Sequence, residues 1–190
     1  MSSQQTHLSD LKQLVDDFQE IINNEQHEKI ANLIAQYPQS YELHFLDGSY
    51  QAEKGTYEQA KDAFTRCLEL KPDYHIARFQ LCFLATLNSD VDTFNRFISS
   101  LLELTEQVYL SLFANALIHV CNNEIDHAKQ MLKEGILLNN ENHALNENMT
   151  KLLYMISEEP EQETVDDSEA DELSSSTNSV LLDIYKNKFN

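Results

Sequence analysis

Glycine and proline are scarce, with three of each in 190 residues, against ordinary usage of about 7% and 5%. So few breakers, beside abundant Leu, Gln, Glu and Asn, point to helices. With only Gly48, Gly55 and Gly135 there is no glycine-rich loop to cradle a phosphate. Basic residues are also few, 13 Lys and Arg against 32 Asp and Glu for a formal net charge of −19. That balance argues against nucleic acid or an anionic membrane surface as partner. Cysteines number three, Cys67, Cys82 and Cys121, widely spaced and without a C-x-x-C pair. They read as small buried packing residues in a reduced, cytoplasmic protein. No run approaches the 18 or so apolar residues that span a bilayer, so no membrane insertion is expected. Met1 to Asp10 lacks a basic start followed by an apolar stretch, so no secretory signal is expected.

Hydrophobic residues make up 42% of the chain, which excludes a wholly disordered protein and allows a sizeable core. Their arrangement has a long period. Pro38 and Pro72 lie 34 residues apart. The series Gly55, Tyr57, Ala60, Phe64, Cys67, Leu70, shifted by 34, becomes Ser89, Val91, Phe94, Ile98, Leu101, Leu104. A second shift gives Asn123, Ile125, Ala128, Leu132, Gly135, Leu138, so the apolar pattern survives without an insertion. Gly48, Cys82 and Ala116 are all small, where two helices must approach closely.

This pattern resembles the tetratricopeptide repeat, a helix–turn–helix of 34 residues. The likeness is strongest over Tyr41–Tyr74, where GTYEQAKDAFTRCLELKPD (Gly55–Asp73) is similar to the family's second-helix consensus. His44 stands where the family prefers Trp, Asp47 where it prefers Leu, and Gln51 where it prefers Tyr. The unit His75–Val108 is degenerate, with bulky Phe94 in a small place and no closing proline; Tyr109–Asn142 is intermediate. The resemblance implies an all-α solenoid of antiparallel helix pairs, with about three repeats over 41–142. Its repeat-packing residues would be Gly48, Gly55, Tyr57, Ala60, Phe64, Pro72, Cys82, Ala116 and Ala128.

The flanks read as caps, which stacked repeats require. Leu8, Leu11, Val15, Phe18 and Ile22 outline one amphipathic helix, broken near Asn23-Asn24. Ile30, Leu33 and Ile34 mark a second over Glu28–Tyr37, so that 1–40 is a capping pair or an eroded repeat. Leu145, Met149, Leu152, Leu153 and Ile156 mark a closing helix that ends the folded region, 41–157. Residues 158–173 then carry nine acids and no base, and 174–179 are Ser, Thr and Asn. Together 158–179 read as a disordered acidic linker. The terminal segment 180–190 turns apolar again, with Leu182, Tyr185 and Phe189 at helical spacing.

In the tetratricopeptide family the first helix of each repeat lines a concave groove. Carried over, the groove places are Glu42, Phe45, Ser49, Ala52 and Glu53, then Ile76, Phe79, Phe83, Thr86 and Leu87, then Leu110, Phe113, Leu117, Val120 and Cys121. Lys, Arg and Asn, which grip a terminal carboxylate in some members, are absent from these places. Phe45, Ile76, Phe79, Phe83, Leu87, Leu110, Phe113, Leu117 and Val120 instead make an oily wall. That wall is core, or it binds an apolar or amphipathic partner segment, or the chain's own end docks there. A 22-residue linker spans about 26 Å as a coil, so self-docking of 180–190 is geometrically open. The expected function is a non-catalytic adaptor or chaperone for a protein partner, basic overall. A structural subunit that self-associates through the same surface is the alternative. His119, Cys121 and His127 match no zinc signature, and neither a cofactor, a metal nor a catalytic set is expected.

Overall fold

The computed structural model describes residues 3–157. Among them are ten helices and no strand, as the scarcity of breakers requires: α1 (Ser3–Asp16), α2 (Phe18–Asn23), α3 (His27–Gln36), α4 (Tyr41–Glu53), α5 (Tyr57–Leu70), α6 (His75–Leu87), α7 (Val91–Leu102), α8 (Val108–Cys121), α9 (Ile125–Leu138) and α10 (His143–Met155). No described helix is long and apolar enough to cross a membrane. The acidic stretch 158–179 and the terminal segment 180–190 lie outside the described residues.

The period of 34 appears in the backbone itself. Helices α5, α7 and α9 begin at 57, 91 and 125, and α4 and α6 at 41 and 75. Two residues before each second helix the chain turns through a left-handed residue: Gly55 (φ 69°), Ser89 (φ 55°) and Asn123 (φ 59°). The following N–H then reaches back five residues: Thr56 to the Gln51 carbonyl (2.9 Å), Asp90 to Ala85 (2.9 Å) and Glu124 to His119 (2.8 Å). This pattern satisfies a carbonyl that the end of the helix leaves without a partner. Glu25 (φ 56°) repeats the device, with Gln26 donating to the Ile21 carbonyl at 2.9 Å. The links between hairpins also correspond, since Tyr37 donates to Leu33 and Lys71 to Cys67 just before Pro38 and Pro72. A proline there cannot continue the helix that precedes it.

Packing follows the same phase. Ala60, Ala128, Phe64, Leu132, Cys67 and Leu101 have no exposed surface, and neither do Cys82 and Ala116. At Gly48 a Cβ would lie 2.6 Å from the Phe64 ring, so only glycine lets α4 meet α5 there. On α9, a Cβ at Gly135 would collide with the Phe113 ring of α8. Of the remaining predicted packing residues, Gly55 and Pro72 sit in exposed turns and Tyr57 is half-buried. The degenerate middle unit shows its degeneracy: Phe94 is only half-buried, and α7 has 12 residues where α5 and α9 have 14.

The described residues divide into two compact units between Leu84 and Ala85, inside α6. In the first, α1 to α4 share one core of Leu14, Ile21, Ile22, Ile30, Leu43 and Tyr50. The expected N-terminal stripe is corrected here. Ile22 is buried and Leu11 and Phe18 pack against this core, but Leu8 and Val15 are exposed, with Leu14 and Ile21 in the inward places. In the second unit, α10 closes the fold with Leu145, Met149 and Leu152 turned inward.

Candidate functional site

The oily wall is mostly core. Phe79, Leu110, Phe113 and Leu117 have no exposed surface, Leu87 is 3% exposed and Phe83 8%. These six are buried in the folded chain, which favours the reading of the wall as core. The physical reason is that α6 and α8 are apolar on nearly every side, and such helices are enclosed. Aromatic rings within them pair with one another: Phe79 stacks on Phe83 at 6.3 Å, and Tyr109 meets Phe113 edge-on at 6.1 Å. Phe45, Ile76 and Val120 remain half-buried.

The α4 face is different. Glu42, Phe45, Ser49, Ala52 and Glu53 are all partly exposed. The Phe45 ring is held edge-on against Tyr74 (5.2 Å, 89°), and Tyr74 in turn meets Tyr41 at 5.2 Å. Phe45 thus presents a fixed, partly exposed ring one helical turn after Glu42. Such a face can receive a side chain with an apolar stem and a cationic head.

Asp47 and Gln51, polar residues of α4, share one hydrogen-bonded cluster with His27. His27 Nε2 lies 2.7 Å from Asp47 Oδ1 and 3.0 Å from Gln51 Nε2, and Gln51 also donates to Asp47 at 3.2 Å. The Thr56 hydroxyl donates to Gln51 Oε1 at 2.7 Å, and the His27 ring stacks on Tyr50 at 5.0 Å. Asp47 and Gln51 can sit partly buried on α4 because α3 brings a histidine to satisfy them. His44 lies 3.1 Å from the Pro38 carbonyl, and 34 residues on, Arg78 donates to the Pro72 carbonyl at 2.5 Å.

Cys67 and Cys82 are buried as expected, and burial pushes both thiols up to about 12. Cys121 is exposed, which corrects the reading of all three cysteines as core. Asp90 caps α7, accepting from the Thr93 N–H at 3.0 Å and the Thr93 hydroxyl at 2.7 Å.

One cluster joins His119 and His127, already weighed in the sequence, to a carboxylate that was not. His119 on α8, Glu124 in the turn and His127 on α9 place a ligand atom each within 4.8 Å of one another. His119 Nδ1 is 2.5 Å from Glu124 Oε2, and the two imidazoles stack at 5.2 Å. His119 is half-buried and the other two are exposed. The spacing of five and then three residues spans a helix end, a turn and a helix start, so only the turn brings the three together. The available signal was Asn123, an asparagine in the place where the first hairpin has its turn glycine. No protein-family model, curated protein or solved structure matches the chain.

Proposed function

We propose that the chain is a non-catalytic protein-interaction scaffold of the tetratricopeptide kind, a solenoid whose first helices face a partner. The observation that carries this reading is the left-handed turn recurring at Gly55, Ser89 and Asn123 between consecutive helices. A hairpin of that kind cannot bury its apolar side alone and stacks on its neighbours, leaving one face for binding. Burial of Phe79, Leu110, Phe113 and Leu117 moves the contact surface to α4, where Phe45 stands between Glu42 and Glu53. The partner that fits is an amphipathic segment carrying Lys or Arg, since the whole chain has a net charge of −19 and complementary charge steers association.

A photo-crosslinking residue at Glu42 or Ser49, compared with one at Asp62 or Glu69 on α5, tests the surface. In lysate of the source cells, the expected result is one adduct formed from the α4 places and lost when Phe45 is changed to Asp in a chain that still folds. Adducts formed equally from α5, or untouched by Phe45→Asp, would remove α4 as the binding face.

A further inference from the structure

We infer that His119, Glu124 and His127 form a binding site for a divalent ion of the zinc, nickel and copper series. Two imidazoles and one carboxylate are the donor types these ions accept. Their ligand atoms lie within 4.8 Å of one another. A tetrahedral ion with bonds of about 2.0–2.1 Å sets its donors roughly 3.3 Å apart. Closing the difference takes a small rotation of Glu124 and His127, both exposed and free to make it without disturbing the core. Three protein ligands leave a fourth position for water, so the ion is held from one side and exchanges.

The other hairpins supply an internal comparison. Their equivalent places hold Gln51, Thr56 and Gln59 in the first and Ala85, Asp90 and Thr93 in the second, neither with two imidazoles. In the second hairpin the carboxylate of Asp90 is used by its own helix, capping Thr93. Glu124 occupies the same position before α9, yet its side chain makes no capping bond and turns back to His119 Nδ1. The carboxylate is therefore committed to the imidazole and not to the helix. An ion would take the place of the proton now held between them and would pin the end of α8 to the start of α9. This inference is independent of the partner surface on α4.

Calorimetric titration of the full chain with Zn²⁺, and separately Ni²⁺, decides it, in buffer containing excess Mg²⁺ to occupy scattered carboxylates. The expected result is saturable one-to-one binding that weakens about tenfold or more in His127→Asn and in Glu124→Ala. Cys121→Ser and His143→Asn should bind as the parent does. Circular dichroism of each variant confirms that it folds, and the exposed positions 124 and 127 are chosen so that it should. Absence of saturable binding would overturn the site. So would variants at 124 and 127 that bind within about twofold of the parent, or a loss that follows Cys121→Ser instead.

Discussion

Gly48 and Gly135 solve one packing problem from opposite sides. In the first hairpin the glycine is on the first helix and the ring, Phe64, on the second; in the third hairpin Phe113 is on the first helix and Gly135 on the second. Only one of the two was legible in the sequence. Comparing the same place across units revealed Gly48, Cys82 and Ala116 as a small series, whereas the Phe113–Gly135 contact joins two different places and leaves no periodic trace. Phe64 has no exposed surface. Gly48→Ala should therefore destabilise the chain, overpacking of about 1–3 kcal/mol being offset in part by roughly 1 kcal/mol of better helix propensity. Urea unfolding at neutral pH measures it, and a variant as stable as the parent would show that the ring can yield.

At the scale of the element, the turn is the unit that repeats most faithfully, and its residues differ in how well they suit it. Gly55 takes a positive φ without strain, Asn123 tolerates it, and Ser89 at φ 55° is the worst placed of the three. Ser89→Gly should raise stability by about 0.5 kcal/mol, the relief of left-handed strain exceeding the added flexibility of the unfolded chain, while Asn123→Gly should change it less. Thermal unfolding of both variants checks the order, and a destabilised Ser89→Gly would contradict it. The helices themselves were legible to within a residue or two because three units share one phase. The first stripe was misjudged at Val15 because Leu14 and Val15 are apolar neighbours, and the residue pattern does not say which of the two faces inward. Glu124 was missed beside His119 and His127 for another reason: sequence spacing is informative within a helix or a loop, and these three are joined by a change of direction.

For the molecule as a whole, the sequence showed which residues are apolar but not which side of the wall is wet. A partner groove and a core use the same Phe, Leu and Ile, and only burial in the folded chain separates them. That burial has a consequence for pH. Cys67 and Cys82 hold their protons up to about pH 12 in the folded chain against an ordinary value of 9.0. A thiol kept protonated by folding contributes its stability in full below the unfolded value and loses it as pH rises from there toward the folded one. Tyr41 and Tyr109, raised first by burial, and Tyr37, raised first by its hydrogen bond to Asp10, act in the same direction. The urea midpoint should thus fall from about pH 9 upward, and the fall should flatten when both cysteines are replaced by alanine. An unchanged midpoint through this range, or an equal slope without the thiols, would show that burial does not hold those protons. The short third helix has a consequence of another kind. It has 10 residues where α5 has 14, and Ile30 is still fully buried. Four residues advance an α-helix by a little more than one revolution, leaving its inward side turned by only about 40°. Such a chain can be edited in length by whole revolutions of an outer helix and keep its meaning, whereas a change of two residues would turn the inside out.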